Sequence, residues 1–238
     1  MRKIMDFLEG VYLAVKVWFQ TTQWFRVVKI TIATSVTALL IFFVAGTLFV
    51  EEGAFTISFV KNNKKEDAAI SLSETPDFAN PTVMLDANGE VDMTNISGSW
   101  LPADIESENG SHNGDDYIAY TFYAKNVGAN ACTLKGEFNI DSSVKSAEAA
   151  IRIRLYKNGK ATTYAQMGAD GLPEYGTTPF ESAKVAFSDK TENFEKDEII
   201  KYTLVIWLEG DDPECLDNIK GGNVKMSMTF KVEETPDT

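Results

Sequence analysis

One histidine in 238 residues limits the chemistry this chain can carry. Catalytic zinc needs ligands such as His and Cys at close spacing, and His112 stands in a Gly/Asn/Asp loop with no second imidazole. A Ser/His/Asp set needs only one His, but no G-x-S-x-G elbow accompanies it. His112 therefore reads as a solvated loop residue, and the chain as no enzyme. Cysteine is almost as scarce: Cys132 and Cys215 allow one disulfide, or two separate buried thiols, and no framework. Basic charge is short as well, with 22 Lys and Arg against 35 Asp and Glu, net −13. That balance opposes nucleic acid and anionic lipid headgroups, and favours solubility, cations or basic partners.

What the chain does have is residues 30–50, ITIATSVTALLIFFVAGTLFV, 21 positions without a charge. As a helix rising about 1.5 Å per residue, this run matches the roughly 30 Å hydrocarbon core of a bilayer. Only a helix lets a single segment satisfy its own backbone there. Before it, residues 1–29 carry Arg2, Lys3, Lys16, Arg26 and Lys29 against Asp6 and Glu9. That is a net of +3 up to residue 50, which leaves −16 for residues 51–238. Basic residues before the span place the N-terminus in the cytoplasm and the acidic remainder outside. The run exceeds the roughly 7–15 residues of a signal-peptide core and lacks a clean small-x-small site. An uncleaved single-pass anchor is the expectation, with release after cleavage as the alternative.

Residues 1–26 place Ile4, Phe7, Leu8, Val11, Val15, Trp18, Phe19 and Phe25 near one face at helical spacing. Two arrangements follow: an amphipathic helix lying in the cytoplasmic interface, or one helix running straight into the span.

After residue 50 the period changes from 3.6 to 2. Phe55, Ile57 and Phe59 alternate with small polar residues, and residues 68–72 read as the returning arm of a hairpin. Residues 73–114 read mainly as loops, with short strands near 83–85 and 91–96. Stronger alternation follows at Ile118, Tyr120, Phe122 and Ala124, then Leu134, Phe138 and Ile140, then Ile151, Ile153 and Leu155. Asn158-Gly159 predicts a type I′ turn. Ile200 to Leu208, and Val224 to Val232, complete the pattern. Between them Asp212 and Pro213 predict a short helix closed by Gly221-Gly222. The fold class is mainly β: an antiparallel, jelly-roll-like β-sandwich preceded by a transmembrane helix. Domains are expected at 1–29 (cytoplasmic or interfacial), 30–50 (span) and 51–238 (exported sandwich).

The hydrophobic segment, the strand and turn YTFYAKNVG at 120–128, and the strand 200–209 leading into GDDPEC at 210–215 resemble the TasA/camelysin group. These are exported β-sandwich proteins of Gram-positive bacteria, processed by a dedicated signal peptidase. The resemblance implies a cell-surface, biofilm matrix-fibre or coat protein. Camelysin-like proteins have been grouped with metallopeptidases, an activity the single His argues against. The long N-terminal lead and the missing small-residue processing site depart from the group.

Two acidic stretches are weak candidates for calcium, which takes 6–8 oxygen ligands. One is Asp86, Asn88, Glu90 and Asp92, without the distal Glu of an EF-hand. The other is Glu209, Asp211, Asp212 and Glu214. Both read more simply as a turn and a solvated loop, so no cofactor is expected. Cys132 and Cys215 can both lie at one rim of the sandwich, which leaves a bridge between them open. Phe55, Ile57 and Phe59 form a candidate assembly strand at a sheet edge. The functional expectation is a surface structural protein that binds membrane through its helix and itself or other surface proteins through its sandwich. The alternative is a displayed binding module for a cation, sugar or protein.

Overall fold

The computed structural model describes residues 2–49, 55–59, 70–87 and 93–233. The chain divides into two compact units, Met1–Glu51 and Glu52–Thr238.

The first unit is a single helix, α1, Arg2–Phe49, about 70 Å long at 1.5 Å per residue. The lead and the apolar run are thus one unbroken helix, the second of the two arrangements the sequence allowed. No proline interrupts it. Thr31, Thr34 and Thr37 turn their hydroxyls back onto the carbonyls of Val27, Ile30 and Ala33 at 2.8–3.0 Å, which hides polar groups inside the helix. Among the described residues, no helix is long and apolar enough to cross a membrane. The run 30–50 continues past residue 38 into positions whose side chains lie outside the described residues.

The second unit is mainly β, with two sheets facing one core, consistent with a β-sandwich. Its strands are β1 Phe55–Phe59, β2 Ile70–Ser73, β3 Met84–Asp86, β4 Asn95–Ile96, β5 Gly110–Ser111, β6 Tyr117–Asn126 and β7 Cys132–Val144. They continue with β8 Ile151–Lys157, β9 Lys160–Ala165, β10 Thr178–Pro179, β11 Val185–Phe194, β12 Ile199–Glu209 and β13 Asn223–Glu233. One sheet runs β11-β7-β13-β1-β3 and the other β10-β9-β8-β12-β6-β2, with β4 on β12 and β5 on β6. Most pairs are antiparallel, but β1–β13, β9–β10 and β4–β12 are parallel.

Alternation decides which side chains meet in the core. Phe122, Tyr202 and Leu204 from one sheet face Phe138, Met228 and Phe230 from the other. Phe122 stacks on Tyr202 at 5.2 Å and Tyr164 on Phe187 at 4.4 Å, contacts worth about 0.5–1.5 kcal/mol each beyond burial. Gly136 is small by necessity, because a Cβ there would lie 2.9 Å from the Phe230 ring. Asn158 and Gly159 adopt φ of 48° and 83°, as the β8–β9 turn requires.

Three expectations are corrected. β1 is no edge strand: it lies between β13 and β3, and its Ile57 is completely buried. β2 makes no hairpin with β1; it joins the other sheet, on β6. The segment after Asp212 is not a helix of one or two turns but loop, with a single 3-10 turn at Asp217–Ile219.

A smaller apolar cluster covers the outer face of the second sheet. There Ile96 and Ile105, on the segment leading to β5, pack on Ala119, Val205 and Trp207.

Candidate functional site

The strand directions define two rims. β12 pairs Ile199 with Lys125 at one end and Trp207 with Tyr117 at the other, where Leu208 also meets Ile151. Loops 145–150, 166–177 and 210–222 therefore gather at the rim where β12 ends. Cys215 lies in the last of them, whereas Cys132 opens β7 opposite Phe194, at the rim where β12 begins. The length of β12 separates them, on the order of 30 Å at about 3.3 Å per residue. Both are free thiols at opposite rims, which leaves the second of the two alternatives, separate thiols. Burial pushes the Cys132 thiol upward. Burial, with the charges of Asp212 and Glu209, does the same to Cys215 against the opposing pull of Arg152.

The loops of the β12-end rim meet around one guanidinium. Arg152, second residue of β8, points to the outer face, where its neighbours Trp207 and Ala165 sit in register. Its Nη2 lies 2.6 Å from Asp212 Oδ2 and 3.3 Å from Glu174 Oε2. The Arg152 and Asp212 side chains are all but sealed from solvent. Oδ2 has no aligned hydrogen-bond donor, so this contact is an ion pair by proximity. Asp212 Oδ1 accepts the Glu214 amide at 2.7 Å, and Glu214 accepts the Ala169 amide at 3.0 Å, tying two loops together.

Glu174, Asp212 and Glu214 bring carboxylate oxygens within 4.8 Å of one another. Of the second calcium set, only Asp212 and Glu214 belong to this group. Glu209 turns elsewhere, accepting from the Gly98 amide at 3.1 Å and Trp207 Nε1 at 3.0 Å, and Asp211 remains in the loop. Of the first set, Asp86 is exposed on β3, while Asn88, Glu90 and Asp92 lie outside the described residues. Arg152 and Glu174 were not singled out by sequence. Desolvation raises the Glu174 carboxyl, as do Asp212, Glu214 and Asp170, against Arg152. A guanidinium already stands among these carboxylates. The arrangement fits ion pairing that pins loops better than a calcium shell.

His112 is half-buried rather than solvated. Its Nδ1 lies 2.9 Å from Gly110 O and its Nε2 2.7 Å from Ile105 O, so both ring nitrogens are engaged with backbone. A second polar group joins the sheets: Lys157 Nζ donates to both Asp189 oxygens and to Thr191 Oγ1, each at 2.7 Å, and Tyr202 donates to Asp189 at 2.9 Å. Burial, then the charge of Asp189, holds the Tyr202 hydroxyl well above its ordinary value. It stays a donor.

No known protein family matches the chain, and no curated protein matches it.

Proposed function

We propose that this chain is a membrane-anchored surface protein, N-terminus inside, whose jelly-roll-like sandwich assembles with other copies through β1. The observation that carries the reading is the place of β1. It is the first strand after the helix in sequence, yet it pairs in parallel with the last strand, Phe55 with Met226 through Phe59 with Phe230. Its Ile57 fills the core, a contribution of about 1.5–3 kcal/mol. A strand of this kind is joined to its sheet by main-chain bonds and an alternate pocket. A second copy offers the same donors and the same pocket. Exchange between copies is head-to-tail and propagates unless the rotation closes. Within one chain the covalent tether still gives β1 a higher effective concentration at its own sheet than a separate copy has, so exchange requires high local concentration, which a membrane supplies.

The anchor rests on the uncharged run 30–50, on its continuity within one helix, and on threonine hydroxyls bonded inside that helix. The test compares residues 51–238 with residues 62–238 by solution mass, with and without a peptide of residues 51–61. Assembly of the longer form, and rescue of the shorter by the peptide, are expected. Equally stable monomers for both, indifferent to the peptide, overturn the proposal.

A further inference from the structure

We infer that the rim where β12 ends lies against the lipid surface, with loop tips seated at the headgroup–acyl boundary. The inference rests on the anchor reading above and adds which face of the sandwich meets the membrane. Two independent observations converge on this rim.

The first is where the chain enters. β1 runs parallel to β13, and Phe55 is level with Met226, three residues from the start of β13. The start of β13 pairs with the end of β7, Asn223 with Val144. A short connection then leads to β8, whose first residue pairs with Leu208. The chain thus comes into the sandwich from the β12-end rim. Five residues separate Phe49, the last of α1, from Phe55.

The second is what the rim displays. Ten large apolar side chains of the second unit are exposed among the described residues, and six of them stand here: Trp100, Val144, Met167, Leu172, Tyr175 and Leu216. Only Val127 and Ile199 stand at the opposite rim. Tyr175 is fully exposed and Trp100 is 73% exposed. Single exposed apolar residues need no explanation, but a cluster on one face does. Tyr and Trp with Leu and Met are the composition of a lipid interface, where an apolar body and a polar tip are both accommodated.

The ion-pair group explains how such tips are held in place. Glu174 on Arg152, and the Ala169 amide on Glu214, pin both ends of the segment that carries Leu172. The Leu172 amide is held by Asp170 at 2.9 Å. Much of the acid at this rim is thereby engaged within the protein, with Asp217 paired to Lys220 at 2.8 Å.

The experiment uses the full chain in phosphatidylcholine nanodiscs, with Cys132→Ser and Cys215→Ser, and a nitroxide placed at Leu172→Cys, Tyr175→Cys, Val127→Cys or Leu40→Cys. Relative accessibility to oxygen and to a nickel chelate is read at each position. Positions 172 and 175 are expected to favour oxygen several-fold over position 127. If position 40 lies in lipid while 172 and 175 match 127, the rim inference is overturned and the anchor stands. If position 40 is open to nickel, the anchor fails and the inference with it. Brominated lipid gives a second reading that leaves the cysteines and the rim untouched. In a chain with Trp18→Phe and Trp24→Phe, Trp100 is expected to be quenched while buried Trp207 is spared, and no quenching overturns the inference.

Discussion

Arg152 Nη2 and Asp212 Oδ2 stand 2.6 Å apart with both side chains closed off from solvent, on the face of the sheet opposite the main core. The pair is flanked by Glu174 and Glu214, so one guanidinium answers three carboxylates. Removing that guanidinium is far costlier than removing an exposed one, because Asp212 would be left buried and unpaired. Arg152→Met is expected to lower unfolding stability by about 3–5 kcal/mol, measured by urea denaturation at neutral pH.

Acid should partly relieve that variant, and the direction follows from Glu174. Its folded carboxyl is raised above the ordinary value of 4.5, so the native state binds the proton more readily than the unfolded chain. Its contribution to stability is complete below the ordinary value and lost as pH rises through the raised one. Glu174→Gln should flatten stability across that window, read from denaturation midpoints in a pH series. An unchanged profile would show that another group governs it.

Separate thiols make a simple chemical prediction. Non-reducing and reducing mass spectra should agree, with two alkylated cysteines after denaturation. In the folded protein Cys215 should label first, increasingly at alkaline pH because its thiol is raised, while Cys132 waits for unfolding. Simultaneous labelling of both would contradict their placement.

Asn126 closes the end of β6. Its side-chain amide donates to Asn130 O at 2.9 Å and Phe194 O at 2.8 Å, and its oxygen accepts the Gly128 amide at 2.8 Å. Asn126→Ala removes all three bonds and takes the acceptor from the buried Gly128 amide, a loss of about 1–3 kcal/mol. A drop in thermal midpoint without loss of β signal in circular dichroism is the expected result.

The proposed orientation is checked on cells stripped of their wall. Added protease should degrade residues 51–238 and spare 1–29. Protection of the β unit would reverse the topology.

The easiest strand to read was β13, which alternates strictly and has Met226, Met228 and Phe230 inside as their spacing requires. In β12 the spacing placed Tyr202 and Leu204 in the core but did not reveal that Val205 and Trp207 are buried on the opposite face under a second apolar cluster. β11 escaped because its register shifts between Val185 and Phe187 and again before Phe194, which breaks the period. Residues 68–72 looked like a hairpin arm because sequence neighbours usually pair, and nothing local reveals that the strand there, β2, crosses to the other sheet. The turn after β12 misled for a different reason. Asp212, a good helix cap, instead binds the Glu214 amide in a tight loop and turns its second oxygen to Arg152. Half of the ion-pair group was visible as acid in 209–214. Glu174 was not, since only the return of loop 166–177 brings it there.

Pairing β1 with β13 also sets a timetable. The first strand of the second unit cannot be satisfied until the last has been made, a closure spanning roughly 170 residues and among the most non-local contacts a chain of this size can have. Under the export proposed above, the chain would cross with Ile57 still without its pocket, and the sheet would close only after its C-terminal strand had emerged. In the proposed assembly, whichever copy of β13 comes within reach during that interval is the one that β1 joins.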